Sequence, residues 1–231
     1  MKKNIIKHES SLEEYPDILV PAKTKIPDWY KKILPYTNNE MINLNDNSIN
    51  ATVKKCMPFL ESLSIGYMIT LPFDIYVKNN NGIPNIIFVN KDHVMRTREQ
   101  VADKNLVPTG FYPLEYTWDP NVSFSVPKGY SILITHPLNR NDLPFYTLSG
   151  IIDGPFINAP HGNFPFYIKT GFEGMILQGT PIMQLIPFQQ ESYKLKKTKG
   201  LTYKGKLNNK KSNLVFFNWY KKEYWIKKQY E

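Results

Sequence analysis

His136, Asp153 and His161 are the residues of this sequence whose types could together hold a transition metal. Two imidazoles and a carboxylate suit zinc or iron, and an open position on such a centre would serve a non-heme, metal-dependent oxygenase. No His-x-Asp or His-x-His pair supports that reading, and His161 stands in a Pro-His-Gly-Asn run. The simpler expectation is that both imidazoles satisfy loop backbones. Arg140, with Asn141 and Asp142 beside it, forms a second polar group in a loop between two apolar runs. A guanidinium binds planar anions bidentately. Asn and Asp equally close turns by bonding their own backbone, and the turn is the favoured reading. A lone cysteine, Cys56, excludes an internal disulfide and a thiolate zinc site. Beside Met57, Pro58, Phe59 and Leu60 it is expected as a small buried hydrophobe, since a nucleophile would need a histidine partner.

The third group lies in the tail. Twelve of the 29 basic residues and two of the 20 acidic ones fall within 194–231, which leaves the tail at +10 and the rest of the chain at −1. Phe216, Phe217, Trp219, Tyr220, Tyr224, Trp225 and Tyr230 share that tail. Lysines neutralise phosphates and rings stack on bases, so nonspecific nucleic-acid binding is one expectation. Adjacent aromatics also demand burial, and docking of Trp219, Tyr220, Tyr224 and Trp225 on the chain's own body or on a partner is preferred.

These groups need elements to position them. Pro16, Pro21, Pro27 and Pro35 break any long helix before residue 50, leaving one short helical turn from Pro27. A helix is expected over Thr52–Leu63, where Pro58 marks a break or a start. Beyond Gly66 the period changes. Tyr67–Leu71 and Phe73–Val77 read as strands kinked at Pro72, Asn79-Asn80-Asn81-Gly82 as a turn, and Ile86–Val89 as a strand. His93–Asp103 is expected to form a short helix. Val122–Val126 alternates apolar and polar as a half-buried strand should. Further strands are expected at Tyr130–Thr135, Thr147–Ile152, Phe164–Ile168, Gly174–Leu177 and Ile182–Phe188. Short strands separated by Gly/Pro turns, without a βαβ rhythm, indicate an all-β sandwich or barrel. Leu214–Tyr230, if helical, places Phe217, Tyr220, Tyr224 and Trp225 near one face.

With 42% hydrophobic and 14% aromatic residues among 231, the chain has ample material for a core. No run approaches the roughly 20 apolar residues of a membrane helix. The basic start, Met1 to Glu9, lacks an apolar signal region. A reducing, cytoplasmic setting is expected.

Two family resemblances follow from particular runs. Val126-Pro127-Lys128-Gly129-Tyr130, His136-Pro137-Leu138-Asn139-Arg140, Leu148 to Asp153, Asn163 to Phe166 and Gly179 to Phe188 resemble an uncharacterised family of tailed phages, notably cyanophages, with bacterial relatives. Ile26 to Tyr30 and Lys55 to Phe59 extend that resemblance over roughly residues 25–190. The family implies a host-cell cytoplasm or a virion as the setting, but no reaction. The order Pro-Lys-Gly-Tyr, then Gly150-Ile151-Ile152-Asp153, then Gly179-Thr180-Pro181-Ile182-Met183-Gln184-Leu185 is similar to deoxyuridine triphosphatases and dCTP deaminases. That resemblance implies a trimeric β-clip fold, with Asp153 activating water, Gln184 supporting it and Mg2+ accompanying the nucleotide. Tyr130, Asn139 and Arg140 would then join Gln184 around the ligand. The Arg-Ser-Ser/Gly phosphate motif of those enzymes is replaced here by His136 to Arg140, and their glycine-rich arm by the lysine tail.

The expected organisation is an extended segment 1–50 packing on the body, a β-rich core domain 51–193, and a basic linker with an aromatic helix at 194–231. The β-sandwich or β-clip-like barrel is expected to serve as a phage-type accessory or structural binding module that self-associates or engages a phage or host protein. No cofactor is required by that reading. A nucleotide hydrolase at Asp153 with Mg2+, and an oxygenase at His136, Asp153 and His161, are the alternatives.

Overall fold

The computed structural model describes residues 5–10, 18–43, 45, 49–88, 95–98, 104–154, 156–158, 164–202, 204–206 and 219–231. In chain order its strands begin with β1 (Lys7–Ser10), β2 (Leu19–Pro21), β3 (Tyr67–Thr70), β4 (Ile75–Asn80) and β5 (Ile83–Phe88). They continue with β6 (Met95–Arg98), β7 (Glu115–Trp118), β8 (Val122–Ser125), β9 (Tyr130–Thr135) and β10 (Phe145–Thr147). The last five are β11 (Gly150–Asp153), β12 (Phe156–Asn158), β13 (Phe164–Ile168), β14 (Gly174–Ile176) and β15 (Pro181–Gln189). Short helices include α1 (Asp28–Lys32), α2 (Met57–Ser64) and α3 (Trp219–Glu223), and residues 201–202 and 204–206 are also helical. The protein is mainly β, as its period-two runs predict.

By contacts the chain forms two compact units, and they do not follow the sequence divisions at 50 and 193. One comprises 1–25 and 64–190, the other 26–63 and 191–231. All four sheets belong to the first unit, in the orders β1-β8-β12, β10-β13-β7-β6, β11-β9-β15-β3-β2 and β14-β4-β5. Every pairing among the described residues is antiparallel, and no sheet closes into a barrel. Residues of all four sheets share one core, including Val122 and Phe124, Ile132 and Ile134, Ile182 and Leu185, and Ile75 and Val77. Trp118 lies flat on Phe166 with centroids 3.7 Å apart and meets Phe145 edge-on at 5.1 Å.

Local chemistry explains the connections. Asn80 pairs with Ile83 across Asn81-Gly82, both at positive φ (54° and 91°), the two-residue turn that suits right-twisted strands. Other expectations need correction. Within the helix expected at 93–103, Met95 to Arg98 instead form β6 and pair with β7, and the rest of that stretch lies outside the described residues. The single strand expected at Thr147–Ile152 is two: β10 pairs with β13 and β11 with β9, so the chain changes sheets at Leu148-Ser149. β7, absent from the expectations, alternates polar and aromatic residues (Glu115, Tyr116, Thr117, Trp118), yet all four are buried.

In the second unit, Tyr30 of α1 stacks on Phe59 of α2, with Trp29 edge-on to both rings. Pro58 is the second residue of α2, where its missing N–H costs no helical bond. Cys56 is exposed rather than buried, because the chain turns out of a 3-10 turn there before α2 begins. Of the aromatic helix expected over Leu214–Tyr230, α3 is five residues long, residues 225–230 have no regular structure, and residues 214–218 lie outside the described residues. Tyr220 and Tyr224 are exposed, with ring centroids 6.3 Å apart. Trp225 is half-buried and donates its indole N–H to Glu61 at 3.0 Å, and Lys228 pairs with the same carboxylate. Phe216 and Phe217 lie outside the described residues.

Candidate functional site

The predicted site residues collect at the two ends of β9. Register sets this separation. Asp153 of β11 lies opposite Ser131, near the start of β9, whereas Gln184 of β15 lies opposite Thr135, at its end, with His136 next in the chain. Strands rise about 3.3 Å per residue, so Asp153 and His136 stand roughly 16 Å apart along the sheet. They cannot share a metal ion. His161 is outside the described residues. Among the described residues, no three His, Cys, Asp or Glu side chains group closely enough to hold a metal.

His136 is 8% exposed and its ring is fully engaged. Nδ1 accepts the backbone N–H of Thr147 at 3.3 Å, so Nε2 carries the proton and donates to the Arg140 carbonyl at 3.1 Å. That tautomer leaves no lone pair for a metal. Burial holds the imidazole pKa below its ordinary value, with the Arg140 carbonyl acting in the opposite direction. Tyr146 stacks on the ring at 5.0 Å. Thr147 continues the network inward: its hydroxyl accepts the Trp118 indole N–H at 3.0 Å and donates to the Ile182 carbonyl at 2.7 Å.

Arg140 is committed as well. Nε donates to Asp142 Oδ1 at 2.9 Å and Nη2 to Oδ2 at 2.8 Å, a bidentate pair, and Nη1 reaches the Lys25 carbonyl at 3.5 Å. The carboxylate that would have capped a turn instead occupies the guanidinium expected to bind an anion. Asn139 takes the left-handed conformation (φ 59°) in the Pro137–Arg140 turn, which the Arg140 N–H closes on the Pro137 carbonyl at 3.1 Å. Gln184, fully buried, holds that loop: its amide oxygen accepts the Leu138 N–H at 2.9 Å, and its amide nitrogen donates to the Ile65 carbonyl at 2.8 Å. Gln184 therefore braces two backbone segments, and it stands about 13 Å along β9 from the aspartate it was expected to support.

Asp153 and Tyr130 do come together. Asp153 is exposed, and its Oδ1 accepts the Ser131 hydroxyl at 2.6 Å and the Gln190 amide N–H at 3.3 Å. Gln190 also donates to Ser131 Oγ at 3.1 Å, and Gln189 donates to the Tyr130 hydroxyl at 3.2 Å. Ser131, Gln189 and Gln190 escape sequence reading because they belong to ordinary strand and strand-end positions. A pinned, exposed carboxylate can accept a proton from water or a hydroxyl. Among the described residues, Asp153 belongs to no group of three or more His, Cys, Asp or Glu side chains close enough to hold a metal.

On the outer face of the five-stranded sheet, an apolar row adjoins this cluster. Ile151 of β11 lies opposite Leu133 of β9, and Leu133 opposite Ile186 of β15. Ile151 is 65% exposed, and Phe188, one row on beside Ser131, is 39% exposed. Elsewhere in the first unit, a cleft of about 450 Å3 opens beside β5, lined by Ile86, Phe88, Met95, Leu114 and Tyr116 with Asn80, Asn85 and Thr97. None of the described lining side chains is charged. The Tyr116 hydroxyl donates to the Pro84 carbonyl at 2.8 Å, and burial pushes its pKa up to about 12.

No helix among the described residues is long and apolar enough to cross a membrane. No family model matches the sequence, and no curated protein matches it. Among solved structures, a mutant form of the dUTPase of Staphylococcus bacteriophage 80alpha is similar at 13% identity, over 86% of this chain and 99% of the other. Its TM-score of 0.33 is below the level at which a shared fold follows.

Proposed function

We propose that this chain is a binding module that self-associates through the outer face of the β11-β9-β15-β3-β2 sheet. The observation that carries this reading is the registered row Ile151, Leu133 and Ile186, flanked by Phe188. Isolated surface hydrophobes are ordinary, but a contiguous apolar strip with a polar rim marks a contact surface. The rim here is Asp153 and Gln190, which are exposed and hydrogen-bonded to each other. A host-cell or virion setting fits such a module. Light scattering on the purified chain tests the reading. An assembly larger than the 27.0 kDa monomer is expected, reduced to a monomer by Ile151→Asp with the melting temperature preserved. A wild-type monomer at high concentration, or an Ile151→Asp assembly of unchanged size, refutes it.

A second reading rests on Asp153. Its pinned, exposed carboxylate suits a base in a nucleotide hydrolase. Arg140 is held by Asp142, so phosphate recognition would have to come from other groups, and Mg2+ would have to arrive with the nucleotide. That reading expects Asp153→Asn to abolish dNTP turnover while the fold survives. Equal rates in wild type and variant would end it.

A further inference from the structure

The second unit contains a strongly basic segment that the self-association reading leaves unused. Residues 191–200 are exposed throughout and, from 191 to 198, without regular structure. Lys194, Lys196, Lys197 and Lys199 fall within six residues, which span at most about 20 Å of chain. Tyr193, immediately before them, is 86% exposed. Its hydroxyl donates to Glu191 at 2.6 Å, a bond made at the rim of the ring and not on its face. Four point charges beside an exposed aromatic face match two features of one ligand class: closely spaced phosphates and unstacked bases.

We propose that residues 191–200 form a track for single-stranded nucleic acid, with Lys194, Lys196, Lys197 and Lys199 on the phosphates and Tyr193 stacked on a base. Lysine, a flexible point charge, neutralises phosphate without reading sequence, so the binding is sequence-tolerant. The tyrosine selects the class of polyanion. A duplex keeps its base faces stacked and withholds them from the ring. An acidic protein surface gains nothing from the ring, whose face is itself electronegative. Trp225 lies outside 191–200 and is half-buried, so it is not part of the exposed track. The proposal is independent of how the β body associates.

The test is fluorescence anisotropy of the full-length chain with a labelled oligothymidine of about 20 nucleotides, from 50 to 200 mM salt. Each phosphate contact on a single strand contributes about 0.7 to the slope of log Kobs against log salt. Replacing the four lysines by glutamine should therefore lower the slope by about 3. Tyr193→Ala should weaken binding roughly tenfold at every salt concentration and leave the slope unchanged. A duplex of the same length should bind more weakly and be indifferent to Tyr193→Ala. The proposal is overturned by an unchanged slope in the quadruple variant, or by a duplex bound as tightly as the single strand. It is likewise overturned if polyglutamate of equal charge displaces the oligonucleotide as well as unlabelled oligothymidine does, which would assign the track to acidic proteins.

Discussion

Gln184 offers the sharpest test of how the His136–Asp142 loop is held. The side chain is fully buried and joins the Leu138 N–H to the Ile65 carbonyl. Gln184→Leu keeps the approximate volume and removes both bonds. A buried donor or acceptor left unmade costs about 1–3 kcal/mol. Leu138 and Ile65 are each half-buried, so the lower end applies to both, and the loss should be about 2 kcal/mol. With an m-value near 2 kcal/mol/M, the urea midpoint should fall by about 1 M with m unchanged. Gln184→Glu adds a pH signature. Its carboxylate still accepts from Leu138 but faces the Ile65 carbonyl, so burial and that carbonyl raise its folded pKa above the unfolded value of about 4.3. Below about pH 4.3 the protonated acid donates to Ile65 and the variant approaches wild type. As pH rises through the folded pKa, that stability is lost. Measuring each variant against wild type at the same pH cancels the titration of His136. A Gln184→Leu midpoint within about 0.25 M of wild type, about 0.5 kcal/mol at that m-value, or a Gln184→Glu penalty that is flat from pH 4 to 8, refutes the bracing role.

Three further predictions concern the same unit. Burial lowers the folded pKa of His136 from 6.5, so its stability contribution is complete above pH 6.5 and declines as pH falls below it. Urea midpoints from pH 5 to 8 should show that decline in wild type and not in His136→Gln. Arg140→Lys loses the bidentate geometry with Asp142, whose side chain is 38% exposed, so solvent screening limits the cost to about 1 kcal/mol in the same assay. Gly66→Ala should prevent native folding, seen as loss of the near-UV circular dichroism signal. Gly66 has φ +74°, and an added Cβ would lie 2.0 Å from the Leu185 carbonyl oxygen. The left-handed conformation alone costs about 1–2 kcal/mol, and that oxygen belongs to the central strand β15.

Much of the β architecture was legible because its signals are local. Val122 to Ser125 alternates, Asn81-Gly82 can adopt positive φ, and Pro72 separates two strands, each within a few residues of chain. Alternation does not report burial on both faces: Glu115 to Trp118 alternates polar and aromatic residues, but Glu115 and Thr117 are as buried as Tyr116 and Trp118. Leu148-Ser149 carries no local mark of a change of sheet, since the change depends on β13 and β9 being available as partners.

For the site, residue types by themselves determined which groups could bind an anion, a proton or a base, and the tail at 194–231 is legible as basic and aromatic from its composition alone. Tertiary structure decided which of those capacities remain available. Asp142 occupies Arg140, two backbone groups engage His136, and the register of β9 keeps Asp153 apart from Gln184 while bringing Gln190 to it. Hydrogen-bonding capacity is a property of a residue, but its use depends on neighbours distant in the chain, as the separation of 37 residues between Asp153 and Gln190 makes plain.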